Sequence, residues 1–278
     1  FPVMTEGDDT LTAYLLSIAD EAGYEIPDDA QGKMLNGLAG FIEGRVIRYS
    51  AFPATDLNLR RLAAISALSR KGRINQKWFD SISIEPNLWP TSAVLDWLSI
   101  LKYTPKFPMH AKLLTEAKQI LRSRLNFQGT TMGFSTEKGD ALWWLMISGD
   151  AIANRALLAL LDMDEWRLDI PRLVQGTLSR QQKGHWNTTV ANAWGVAAME
   201  KFSEKFEKTP VAGVSTATIE MENFMANWAK EKNGARKMLA WPATTADLRL
   251  SHNGSGRPWV TIQSLAALPL KEPLFTGY

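Results

Sequence analysis

One phrase recurs along this chain and constrains its fold more than any bulk property. An aromatic residue stands two positions before a threonine, and an apolar stretch follows. Leu88-Trp89-Pro90-Thr91 leads to Trp97, Gly133-Phe134-Ser135-Thr136 to Trp144, and His185-Trp186-Asn187-Thr188 to Trp194. Ala51-Phe52-Pro53-Ala54-Thr55 is a weaker copy. The steps from Phe52 to Trp89 to Phe134 to Trp186 are 37, 45 and 52 residues. Such a period is the signature of a stacked array of supersecondary units. Each threonine is expected to cap a helix by accepting an orphan amide, and each preceding aromatic to fold onto the first turn.

Periodicity places two helices in each interval. Predicted helices run from Leu11 to Ala22, Pro27 to about Glu43, Leu57 to Ser69, Ser92 to Leu101 and Met109 to Arg124. Lys138–Ile147, Ala151–Leu161, Ile170–Gln181 and Thr188–Phe206 continue the series, with Gly23 and Gly72 as stops. Ala141–Ile147 and Val190–Met199 are apolar all round and read as buried. Ala111–Arg124 instead carries a charged face through Lys112, Glu116, Lys118 and Arg122. Buried helices alternating with amphipathic ones make stacked helical hairpins, and a ring suits an apolar inner set better than an open superhelix. The expected fold is mainly α, an α/α toroid over residues 1–207 whose ring is incomplete. Residues 208–278 read as a small β-rich module or part of a β-sandwich. There Val211–Ile219, Asp247–Ser251 and Trp259–Leu265 are strand-like, His252–Arg257 is a turn, and Met221–Lys232 reads as one more helix.

Composition removes whole classes of function. In 278 residues, 31 Lys and Arg against 29 Asp and Glu leave a net charge of +2, which argues against a nucleic-acid binder. With no cysteine the chain has no disulfide, thiolate zinc site, iron–sulfur cluster or thiol nucleophile. Three scattered histidines, His110, His185 and His252, make a multi-histidine metal site improbable. No apolar run approaches the ~20 residues that cross a bilayer. The opening FPVMTEGDD lacks a basic and an apolar region, so it is not a signal peptide, and the chain reads as a piece of something longer.

The stretch Ser179–Trp194 resembles the thioester-containing domains of the alpha-2-macroglobulin and complement family. Leu11–Leu16, Asn87–Ala93, Arg122–Gly129 and Pro258–Ser264 are similar to the family's bacterial branch. The likeness is spread over essentially the whole chain. It implies a thioester-domain-like α/α toroid followed by β-sandwich modules, within a periplasmic protease trap that acylates captured proteases through a Cys-x-Glu-Gln thioester. Proteases are then the partners of the parent, with peptidoglycan-synthesis proteins as suggested neighbours, and the parent's lipid anchoring is left open. This sequence departs from the pattern at the decisive point, because it contains no cysteine. The thioester therefore lies upstream, or the protein traps by shape alone. About nine helices, against twelve in a complete six-hairpin toroid, favour the first. The resemblance carries over no catalytic residue, cofactor or metal ligand.

Other residues remain to be weighed. α/α toroids also host glycosidases, which need two carboxyls 5–9.5 Å apart. Asp56, Asp96, Glu137 and Asp140 stand near inner-helix starts, where a cap or dipole role is the simpler reading. Asp140, near Trp143 and Trp144, is the least simply explained. Trp97, Trp143, Trp144, Trp186 and Trp194 sit at repeat positions, which favours core packing over a binding cup. Arg60, Arg61, Arg70, Lys71 and Arg73 could meet an anionic partner, but read more simply as solvated helix ends. His185 and His252 read as loop or turn residues, and His110 as a solvated helix start. The reading is a non-enzymatic segment of a bacterial alpha-2-macroglobulin-like protease inhibitor. A carbohydrate-active or terpenoid-type enzyme and a non-catalytic interaction scaffold are the alternatives.

Overall fold

The computed structural model describes residues 7–47, 53–82, 85–137, 139–240, 242 and 244–264. The chain divides into two compact units, with the boundary in sequence between Phe206 and Glu207. The fold is mainly α with a small C-terminal sheet.

The first unit holds α1 (Asp9–Glu21), α2 (Asp28–Ile42), α3 (Pro53–Arg70), α4 (Thr91–Tyr103), α5 (His110–Ser123), α6 (Gly149–Leu160), α7 (Ile170–Leu178) and α8 (Thr189–Phe206). Contacts sort them into two layers. α1 packs on α3, α3 on α4, α4 on α6, α6 on α8, and α8 returns to α1. These five form an inner ring. α2 lies over α1 and α3, α5 over α4, and α7 over α6. With eight α-helices among the described residues the toroid has fewer than the twelve of a six-hairpin ring. Among the described residues the inner layer closes with five helices, its last joint made edge-on by Tyr14 and Trp194 with ring centroids 6.3 Å apart.

Local chemistry explains most boundaries. Asp8 caps α1 by accepting from the Leu11 amide at 2.8 Å. Ser148 caps α6 through the Ala151 amide, and Thr188 caps α8 through the Ala191 amide. At Gly23 and Gly72 the chain turns left-handed, and the Tyr24 and Arg73 amides reach back to Ala19 O and Leu68 O. The caps expected at Thr91 and Thr136 are not made. Thr91 is itself the first residue of α4, and Thr136 lies in a turn. Thr55 falls inside α3 instead of before it. The rest of that weaker copy, Ala51 and Phe52, lies outside the described residues.

The helix expected over Lys138–Ile147 is the largest miss within this unit. Among its described residues only a 3-10 turn, Trp143–Leu145, forms. The repeat phrase around Phe134 instead closes a two-stranded hairpin, β1 (Leu125–Gln128) with β2 (Thr131–Phe134), which docks on α7. Gly139 and the positive φ of Met146 (58°) interrupt a run whose composition alone reads as helical.

The main apolar cluster runs through all five inner helices, and Ala151, Trp186 and Ala191 form a smaller second one. Trp89 and Trp97 meet edge-on at 6.1 Å, and Phe79 and Phe107 close on Trp97 at 5.7 and 5.5 Å. Trp186 is buried, donating from its indole nitrogen to Thr177 O at 2.8 Å. Its ring lies so close to Gly195 that a Cβ there would sit 2.4 Å from it.

The second unit is a three-stranded antiparallel sheet in the order β4 (Glu222–Asn227), β3 (Ala212–Ile219), β5 (Leu248–Ser255). Register puts Ala217, Ile219, Phe224, Leu248 and Leu250 on one face, and Thr216, Thr218, Asn223, Arg249 and Ser251 on the other. Three expectations are corrected here. Met221–Lys232 contains a strand, in which the half-buried Phe224 and buried Ala226 alternate with the exposed Asn223, Met225 and Asn227. His252–Ser255 continues β5 and is not a turn: Gly254 pairs with Gly213, where a Cβ on Gly254 would lie 1.9 Å from Ala212 O. Residues 257–264 form no strand, and Leu265 lies outside the described residues.

Glycine substitutions test this packing with opposite signs. Gly195→Ala is expected to destabilise by about 1–3 kcal/mol through overpacking against Trp186. Gly37→Ala, in open space on α2, is expected to stabilise by roughly 0.5–1 kcal/mol. Urea unfolding measures both.

Candidate functional site

A cavity of about 80 Å³ lies on the axis of the inner ring. All five inner helices contribute residues: Ala13 and Tyr14 of α1, Arg60 and Ala63 of α3, Ala93 and Asp96 of α4, Ala151 and Arg155 of α6, Val190 and Trp194 of α8. Arg70 at the end of α3 meets Glu21 and Tyr103 at the ends of α1 and α4, and Lys205 near the end of α8 meets Leu161 O just after α6, so the helices run the same way round the axis. Four of them turn an alanine toward it, and these small side chains leave the space. Leu145, Met146 and Ile147, just after the exposed Trp143, complete the wall.

The cavity is walled by ion pairs that also tie the ring together. Arg60 of α3 grips Asp9 of α1 with two bonds, Nε to Oδ2 at 2.8 Å and Nη2 to Oδ1 at 2.6 Å, both side chains under 5% exposed. The hydrogen bond to Asp9 raises the Arg60 pKa and keeps it charged. Arg155 of α6 donates to Asp96 of α4 at 2.6 Å and lies over the Trp194 ring. Burial raises the Asp96 pKa, against the pull of Arg155. Asn154 of α6 donates to Ala191 O of α8 at 2.9 Å, and the Trp144 indole donates to Asp56 of α3 at 2.7 Å.

Each carboxylate proposed from sequence is engaged in structure. Asp56 takes Trp144 and Asp96 takes Arg155. Glu137 accepts from Arg180 and from the Phe134 amide. Asp140 is the informative one. It accepts from the Thr91 amide at 2.9 Å and the Thr136 hydroxyl at 2.7 Å, so it caps α4 from 49 residues away. Arg124 completes the knot by donating to Thr91 Oγ1 and Asn87 O.

The tryptophans divide. Trp97, Trp186 and Trp194 are buried as expected, Trp144 is half-buried, and Trp143 is 79% exposed, contrary to the packing expected of it. The basic run divides, with Arg60 and Arg70 turned inward and Lys71 and Arg73 exposed as expected. Arg60 is internal, while Arg70 bonds Glu21, Asp20 and Tyr103 across α1 and α4. Lys71 reaches Asp20, and Arg73 grips Asn36. The histidines bond to backbone: His110 to Leu101 O, His185 to Trp186 O, His252 to Ser255 O and also to Ser215. Sequence reasoning missed the two ion pairs at the cavity. Their partners are 51 and 59 residues apart, and only the ring brings them together.

No protein-family model matches the sequence, and no curated protein matches it. Solved structures do match its fold. Escherichia coli alpha-2-macroglobulin activated by porcine elastase aligns over 89% of this chain with a TM-score of 0.51 at 13% identity. The trypsin-activated E. coli protein aligns over 89% with a TM-score of 0.50, also at 13% identity. This chain has the fold of a stretch of bacterial alpha-2-macroglobulin. It spans 20% and 15% of the length of those two structures. It spans 33% of native E. coli alpha-2-macroglobulin solved from domain MG7 to the C-terminus, where the match covers 80% of this chain at a TM-score of 0.49 and 15% identity.

Two substitutions test the site as built. Asp140→Ala removes the remote cap of α4 and is expected to cost about 1–2 kcal/mol in urea unfolding. Asp96 binds its proton more tightly folded than unfolded. Its contribution to stability is therefore complete below the ordinary aspartate value of 3.8 and is lost as pH rises through the elevated one. Asp96→Asn is expected to flatten the fall in unfolding free energy as pH rises above the ordinary aspartate value.

Proposed function

We propose that this chain is the toroid segment, with the start of a β-sandwich module, of a bacterial alpha-2-macroglobulin-type protease trap. The match of its fold to the protease-activated E. coli structures carries the reading. The role is structural and not enzymatic: the ring shields, and on activation presents, an acylating bond or a steric surface. These residues contain no cysteine, so they supply no thioester themselves. Proteases are the partners and the periplasm is the setting. No helix among the described residues is long and apolar enough to cross a membrane.

The carboxylate geometry supports the non-catalytic reading over a glycosidase on the same architecture. A general acid and base need free carboxyls facing a cleft. Here Asp140 is committed to the α4 amide and Asp96 to Arg155.

The test uses the complete open reading frame that contains this sequence, incubated with elastase or trypsin. The expected result is a protease that still cleaves a small peptide substrate but has lost most activity on a large protein substrate. A boiling-resistant adduct distinguishes covalent from steric trapping. Undiminished cleavage of the large substrate overturns the proposal.

A further inference from the structure

The inner ring has one joint unlike the others. α8 packs on α6 and α1 and carries no outer helix of its own among the described residues. The helical wheels fix what lies outside this joint. On α1, Tyr14 faces Trp194, so Leu11 and Ile18, one turn before and after it, lie on the α8 side, with Leu15 further out. On α8, Trp194 faces the axis, and Ala191, Ala198 and Phe202 are buried along the flank turned toward α6. The opposite flank carries Val196, Glu200 and Glu204 in one i, i+4, i+8 row.

This row is exposed and uncompensated. Leu15 is 42% and Val196 63% exposed. Lys201 and Lys205 of the same helix are both turned to Asp162, on the other side. Glu200 and Glu204 have no ion-pair partner among the described residues. The aliphatic surface would gain from burial, and the two carboxylates would gain from a facing cation.

We propose that the α8–α1 seam is a docking groove for an amphipathic helix with an aliphatic stripe and a basic flank. The array specifies the geometry. Elsewhere in the ring an outer helix lies over the inner ones, as α2 lies over α1 and α3. The occupant takes the equivalent place, its apolar residues on Leu15 and Val196 and its Lys or Arg residues beside Glu200 and Glu204. The inference rests on the ring alone and does not depend on protease trapping.

A synthetic peptide of residues 109–124 is a suitable probe. It covers α5, one of the chain's own outer helices, with Leu113, Ala117, Ile120 and Leu121 on one stripe and Lys112, Lys118, Arg122 and Arg124 outnumbering Glu116. The chain has no cysteine, so Ser203→Cys carries a single environment-sensitive fluorophore at the groove's edge. The expected result is a saturable response, weakened about tenfold or more by Val196→Asp, and several-fold by Glu200→Lys with Glu204→Lys or by added salt. All three positions are exposed, so these variants are expected to unfold in urea as the parent does. No response up to about 1 mM peptide overturns the proposal. So does an equal response to a scrambled peptide, or binding that Val196→Asp leaves unchanged. A response that grows with chain concentration in the absence of peptide assigns the groove to a second copy and overturns it as well.

Discussion

Five helices pointing the same way round one axis pose an electrostatic problem, and the rest of the unit is organised by its solution. Each helix carries a partial positive charge at its amino end and a partial negative one at its carboxyl end. Aligning five of them gathers like partial charges at each pole. At the amino pole stand Asp8 on the Leu11 amide, Asp9, Asp56, Asp140 on the Thr91 amide, and Asp150 on the Asn187 amide. At the other pole Arg70 serves α1, α3 and α4, and Lys205 donates to Leu161 O just after α6. Each such placement is worth about 0.3–1 kcal/mol.

The same arrangement makes the candidate site. Side chains small enough to let five helices approach leave a void where they converge. The charges that offset the dipoles are then close enough to pair across it. Arg60 with Asp9 and Arg155 with Asp96 are thus both joints of the ring and walls of its cavity. Burial holds such pairs to one geometry at a desolvation cost.

The sequence makes the architecture legible through period: helices at α1 to α8 are visible in apolar spacing, glycine stops and caps such as Thr188. It misleads where composition and conformation part. Ala141–Ile147 is apolar enough for a buried helix, yet Trp144 is drawn to Asp56 and Met146 turns left-handed, so the segment lies across the cavity as a strap. Thr91 looks like a cap and is instead capped, because Asp140 reaches it through a contact that no local pattern encodes. The glycines of His252–Arg257 look like a turn because glycine serves both turns and close strand approach, and only the pairing with Gly213 tells them apart.

Ring closure is the claim on which the cavity, the poles and the seam all depend. Spin labels at Leu15→Cys and Val196→Cys, read by pulsed dipolar spectroscopy in this otherwise cysteine-free chain, measure it directly. Neighbouring helices 8–10 Å apart predict a narrow distribution centred below about 25 Å once label linkers are included. Five helices laid out as an open row would separate the same labels by about 40 Å, and a distribution centred there would contradict the account.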